Sequence, residues 1–349
     1  MTIPFVAVTG SNGKTTVKEM LASVFSRWGD TLATKGNLNN HIGVPLTLLS
    51  VTKEHKAAII EMGANHPKEI SYLTMMTKPD VAVINNAAAA HLEGFGSLEG
   101  VAKAKGEIYE GLSNKGVAVI NADDSFAKLW QKFAEGKSQL TFGLESDADI
   151  SCEWTGDIRG NQLKVTTPVG NFDCTMKLLG RHNVMNALAA TAVSVGAGVQ
   201  IEDIKNGLDA VEAVPGRMQQ NKGINGSCVI NDTYNANPTS LRAGLGVLAD
   251  CQGTKILVLG DMGELGDDVE KFHAQAGEMA AQLNVDWLFT LGKFSENASK
   301  AFGKNAKHYD DVDVMINDIR ALLTSETTVL VKGSRMMRME RVVNALVEA

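Results

Sequence analysis

The stretch Val8-Thr9-Gly10-Ser11-Asn12-Gly13-Lys14-Thr15-Thr16 joins a short apolar run, Phe5 to Thr9, to a segment with helical spacing. In that segment Val17, Met20, Leu21, Val24 and Phe25 form one apolar face between Thr15 and Arg27. A buried strand that ends in a glycine turn and re-enters a helix leaves few folds open. Glycine admits the left-handed backbone that such a turn needs, and the helix N-terminus aims free N–H groups back at it. Turns of this kind cradle phosphate oxygens. Lys14 would meet the outer phosphates of ATP, and a threonine hydroxyl, from Thr16 or Thr15, would reach Mg²⁺. Val8 stands where the general G-x-x-x-x-G-K-[ST] pattern has its first glycine, so the turn is a variant of that pattern.

The rest of the chain repeats the alternation. Apolar runs at Ala57–Ile60, Val81–Ile84 and Val117–Ile120 are separated by helical segments, which predicts a parallel sheet covered by helices. Between Ile150 and Leu178 the period changes to two. Leu163, Val165, Phe172, Cys174 and Met176 alternate with polar residues around a Pro168-Val169-Gly170-Asn171 turn, which predicts a small antiparallel patch. Helices are expected over Asn183–Val195 and Ile201–Val211. Val214-Pro215-Gly216-Arg217 has the composition of a linker. Beyond it strands are expected at Cys228–Ile230, Lys255–Leu259, Trp287–Thr290 and Thr328–Val331, and helices at Leu241–Ala249, Phe272–Leu283, Val314–Leu323 and Met339–Val347.

A chain of 349 residues is long for one domain. We expect an α/β protein of two parts: a P-loop-type ATPase domain over 1–213, with a mostly parallel sheet and the antiparallel patch, and a Rossmann-like α/β domain over 214–349. The net charge of −7 argues against nucleic acid and anionic membrane as partners. The four cysteines form no C-x-x-C pair, which fits reduced thiols in the cytoplasm. No apolar run approaches the roughly 20 residues of a membrane helix. Gly260, Gly263 and Gly266 follow a strand but lack the G-x-G-x-x-G spacing of a dinucleotide site. Met336, Met337 and Met339 have the character of packing residues.

T-G-S-N-G-K-T-T resembles the Mur ligase superfamily, and further matches follow in order. They are Glu61-Met62-Gly63-Ala64-Asn65, Asn85-Asn86, His91-Leu92-Glu93-Gly94-Phe95 and Lys105-Gly106-Glu107-Ile108. Then come Gly180-Arg181-His182-Asn183 with Asn186, Pro215-Gly216-Arg217, Asn231 to Pro238, and Lys332-Gly333-Ser334-Arg335. Within the superfamily, E-M-G-A-N, Y-N-A-N-P and V-K-G-S-R resemble the branch that adds D-alanyl-D-alanine to UDP-N-acetylmuramoyl-tripeptide. Folate-polyglutamating relatives would show T-G-x-N-G-K-G-S instead. The branch carries a further N-terminal domain that holds the UDP end of its substrate, and this sequence starts almost at the phosphate loop. Weakened nucleotide-sugar binding, or a nucleotide-binding fragment with little turnover, is therefore the competing expectation.

The resemblance implies a carboxylate activated by ATP as an acyl phosphate and then attacked by the dipeptide amine. It implies that Thr9, Gly10, Ser11, Asn12, Gly13, Lys14, Thr15 and Thr16 hold ATP, joined by Asn183, Asn186, Arg217 and Asp232. It implies two Mg²⁺ ions on Thr16, Glu61, His91 and a Lys105 carbamylated by CO₂, with Lys14, Glu61, His91 and Lys105 catalytic. Read from the residues alone, Lys105 is a surface lysine. The resemblance assigns Asn39 and Asn40 to the sugar-peptide substrate, and Tyr234, Asn235, Asn237, Ser334 and Arg335 to the dipeptide. A monomer is expected.

Overall fold

The computed structural model describes residues 3–88 and 92–348. The chain falls into two compact units, one of residues 1–156, 160–177 and 181–212, the other of 157–159, 178–180 and 213–349.

The first unit is built on a six-stranded sheet: β1 (Phe5–Thr9), β2 (Thr31–Ala33), β3 (Ala57–Glu61), β4 (Val81–Ile84), β5 (Val117–Asn121) and β6 (Ser138–Phe142). Their order is β2-β3-β1-β4-β5-β6, and every pairing is parallel. β3 and β4 are buried along their whole length, because helices cover both faces of the sheet. That is why these strands appear in the sequence as unbroken apolar runs. The edge strands β2 and β6 carry no such run, and sequence patterning passed over them. The helix Arg181–Gly196 is buried along nearly all of its length through Ala187, Leu188, Ala189, Ala190, Ala192 and Val193.

The expected antiparallel patch is a three-stranded sheet of β7 (Ser151–Asp157), β8 (Gly160–Thr167) and β9 (Gly170–Met176). Leu163 lies opposite Cys174 and Val165 opposite Phe172, so one face of the β8–β9 hairpin is apolar.

In the second unit β10 (Gln219–Lys222), β11 (Cys228–Asp232), β12 (Thr254–Gly260), β13 (Trp287–Leu291), β14 (Ala306–Tyr309) and β15 (Thr327–Lys332) form a sheet in the order β10-β11-β15-β12-β13-β14. Only β10 runs antiparallel to its neighbour. Successive side chains of β12 enter opposite cores, Leu257 and Leu259 on one face, Ile256 and Val258 on the other. The last strand in sequence, β15, inserts between β11 and β12 and is wholly buried. β10 and β14, both edge strands, have too little apolar patterning to be seen in the sequence. Of the three methionines expected to pack, Met339 is fully buried but Met336 is 92% exposed. Met336 sits on the short turn Arg335–Met337, which presents its side chain to solvent. No helix among the described residues is long and apolar enough to cross a membrane.

Trp130 is fully buried in the first unit, with its indole N–H donating to Ala102 O at 2.9 Å. Trp130→Ala should lower stability by about 3–5 kcal/mol. Chemical denaturation followed by circular dichroism would measure that loss.

Candidate functional site

β1 lies between β3 and β4, so the sheet's strand order reverses there, and ligands bind at the carboxyl edge of such a switch point. The register brings Val8 beside Glu61 and Thr9 beside Ile84. The glycine turn, Glu61 and Asn85 therefore leave the sheet at one edge.

The turn is held from beneath by asparagines. Asn86 accepts the Asn12 N–H through Oδ1 at 2.9 Å and donates to Asn12 O at 3.1 Å. Asn85 Nδ2 donates to Asn12 O at 3.0 Å and to Asn186 Oδ1 at 2.8 Å, while Asn186 Nδ2 donates to Asn183 Oδ1 at 3.0 Å. Ser11 Oγ accepts from the Ala88 N–H at 2.9 Å. Gly13, at φ 79°, caps the helix Lys14–Phe25, and any Cβ there would overlap the Asn85 and Asn186 amides. Glycine is needed here on two counts, backbone conformation and space. Lys14 folds back over the turn and donates to Gly10 O at 2.7 Å.

Glu61 ends β3 and is 2% exposed. Its Oε1 accepts from Asn39 Nδ2 at 2.8 Å, and its N–H donates to Thr34 Oγ1 at 3.0 Å. Among the described residues its Oε2 has no hydrogen-bond partner although it is buried. A buried, unpartnered carboxylate oxygen is costly unless a cation meets it, so this donor set fits Mg²⁺. Among the described residues no three His, Cys, Asp or Glu side chains gather as a metal site. His91 lies outside the described residues.

Lys105 ends the helix Leu98–Gly106 and is 2% exposed, which corrects its reading as a surface lysine. The sequence shows an amphipathic segment but not which face the neighbouring elements cover. Burial first, and then the Lys14 charge, hold its pKa well below the ordinary lysine value. Among the described residues no hydrogen bond or ion pair reaches its ammonium.

The second unit has its own polar cluster. Asp232 and Lys332 end neighbouring strands in register and form an ion pair. Lys332, 1% exposed, also donates to Asn235 O at 3.0 Å. The Arg217 guanidinium lies over the Tyr234 ring, 4.1 Å from its centroid. Asn237 caps the helix Pro238–Ala249 through a reciprocal bond pair with Ser240. Ser334 is buried and donates its N–H to Asp261 O, whereas Arg335 is exposed and lies 3.4 Å from Glu340.

Of the residues singled out from sequence, the first unit gathers the glycine turn, Glu61 with Asn39, and Asn183 with Asn186. Asn40 does not join them: it is exposed, and its Oδ1 accepts from the Ile42 and Gly43 N–H groups. Sequence reasoning missed Asn85 and Asn86 as supports of the turn, and Lys332 as the partner of Asp232. The signal for the last was a lysine and an aspartate each closing an apolar strand. The parallel register that joins them appears only in the fold.

Gly13→Ala should weaken ATP binding by about tenfold or more, about 1.4 kcal/mol, measured by calorimetric titration. A second expectation concerns His273 in the second unit, fully buried, whose Nε2 accepts the Met262 N–H and whose Nδ1 donates to Val269 O. Burial, the largest influence, lowers its pKa. The fold thus favours the neutral ring, and the unfolded chain takes up a proton near pH 6.5. Stability is full above that pH and declines as the pH falls below it. Melting temperatures from pH 7.5 to 5.5 should show the decline, and His273→Gln should flatten it.

Known proteins resemble this chain along most of its length. The Mur ligase middle domain family matches residues 8–194, and the Mur ligase glutamate ligase domain family matches residues 216–335. The chain is 44% identical to UDP-N-acetylmuramoyl-tripeptide--D-alanyl-D-alanine ligase of Escherichia coli K12, over 98% of this chain and 76% of that protein. The Haemophilus influenzae enzyme of the same name is 41% identical with the same coverage. The crystal structure of MurF from Acinetobacter baumannii superposes with a TM-score of 0.93 at 37% identity, covering 98% of this chain and 76% of that one. MurF from Thermotoga maritima, solved in complex with ADP, gives 0.86 at 27% identity, covering 99% and 79%. With both family domains matched in order along most of its length, the chain belongs to the Mur ligase family.

Proposed function

We propose that this chain joins D-alanyl-D-alanine to UDP-N-acetylmuramoyl-tripeptide, using ATP to activate the tripeptide carboxylate as an acyl phosphate. The observation that carries the reading is the buried Oε2 of Glu61, without a hydrogen-bond partner among the described residues, at the sheet edge beside the glycine turn. The relatives at 41–44% identity supply the substrate assignment.

Each first-unit residue then has a chemical task. The N–H groups of the Gly10–Thr16 turn and the positive end of its helix hold the phosphates. Lys14, at present bonded to Gly10 O, would swing to the outer phosphates and offset charge as it builds on the transferred group. Thr16 and Glu61 would hold Mg²⁺, with His91 and a Lys105 carbamate as further ligands, two ions in all. Bound there, Mg²⁺ polarises the phosphoryl oxygens and screens the approach of one anion to another. Lys105 is suited to carbamate formation because burial and Lys14 favour its neutral amine, the form that attacks CO₂. Asn39 orients Glu61. Asn183 and Asn186 belong to the nucleotide site, where Asn186 is already bonded to Asn85 and supports the turn.

In the second unit we assign Arg217 and Asp232 to ATP, and Tyr234, Asn235, Asn237, Ser334 and Arg335 to the dipeptide. The exposed Arg335 is suited to a carboxylate, which a guanidinium binds bidentately. Asn40 is assigned to the sugar-peptide.

The test is phosphate release together with the intact mass of the product, in the presence of ATP, Mg²⁺ and both substrates. Release should require the sugar-tripeptide and the dipeptide together, and release with neither would sink the proposal. Glu61→Gln should reduce turnover by roughly 10²-fold or more, as loss of one charge-stabilising group does.

A further inference from the structure

Glu107 is buried, yet no step of the proposed chemistry uses it. It stands two residues beyond Lys105, on the short turn Glu107–Gly111 that continues the Leu98–Gly106 helix. Its two carboxylate oxygens diverge to separate donors. Oε1 accepts the Lys68 N–H at 2.9 Å, and Oε2 accepts the Ser71 N–H at 3.0 Å.

Those N–H groups belong to the opening of the helix Glu69–Thr77, whose preceding residue, Lys68, has φ 73° and offers no side-chain cap. The first N–H groups of a helix have no partner within it, and a carboxylate there gains from the helix dipole and from charge-assisted bonds. The helix is reached from Glu61 by residues 62–68. That segment is tight, because Glu69 Oε2 accepts the N–H groups of both Asn65 and His66, at 2.7 and 3.2 Å. One carboxylate therefore ties the backbone that carries Lys105 to the backbone that leaves Glu61. Glu110 touches the same helix from outside, bonded to the Ser71 hydroxyl and 3.7 Å from the Lys68 ammonium, and is exposed.

We propose that Glu107 is a positioning residue of the active site. Its carboxylate fixes the distance between the Lys105 and Glu61 ends of the site, and so governs phosphoryl transfer to the tripeptide without touching ATP. The proposal rests on the ligase reading above.

Glu107→Gln keeps the shape but turns an NH₂ group toward one of the two N–H donors, breaking half of the tie. Its kcat should fall about tenfold or more while KM for ATP stays within about twofold. The amides of Lys68 and Ser71 should exchange hydrogen faster than in the unaltered chain. Glu110→Gln should keep kcat. Ser71→Pro removes one of the two donors from the opposite side, at the third residue of the helix, whose N–H has no partner within it, and should lower kcat in the same way. It decides the matter should Glu107→Gln fail to fold. Unchanged kcat and exchange in the folded variants, or an equal loss in Glu110→Gln, would overturn the role of Glu107 alone. Absence of ligation by the unaltered chain would overturn the ligase reading and this inference with it.

Discussion

The side chain and backbone of Asn85 hold the candidate site together. Its N–H reaches Thr9 O and its carbonyl accepts from Asn121 Nδ2, which links β1, β4 and β5 where their side chains give way to polar loops. Its amide nitrogen then spans Asn12 O and Asn186 Oδ1, tying the glycine turn to the Arg181–Gly196 helix. Such a buried amide is stable only because its donors find partners, since an orphaned polar group costs about 1–3 kcal/mol. The geometry of the phosphate turn follows from that satisfaction. Gly13 has no side chain because the amides occupy the space one would fill.

Charge is distributed on the same logic. A protein with a net charge of −7 places three buried lysines in different electrostatic settings. Lys18 pairs with Glu19 and donates to Thr34 O, the residue whose hydroxyl meets the Glu61 N–H. Lys332 pairs with Asp232. Lys105 is buried near the charge of Lys14, and burial first, then that charge, lowers its affinity for a proton. The first two lysines are held in ion pairs. The third has no ion pair among the described residues, and burial disfavours its charged form. Opposite in sign, the Glu61 oxygen that lacks a partner among the described residues would be satisfied by a cation at the same sheet edge.

The sequence by itself determined the α/β class, the central strands, the glycine turn and the family. Long apolar runs mark strands buried on both faces, and a phosphate turn requires particular residues at fixed spacing, so both are local signals. Strand ends at Thr9, Ile84 and Cys228 were legible for that reason. The edge strands β2, β6, β10 and β14 were not, because half-exposed strands bury too little to leave a pattern. Only the tertiary structure decided that Lys105 is buried, that Asp232 faces Lys332, and that Asn39 meets Glu61, Asn85 meets the glycine turn and Glu107 meets the Glu69–Thr77 helix. These facts depend on contacts between residues distant in sequence, through strand register and helix packing, and no local pattern of side chains encodes which distant partner a polar group will meet.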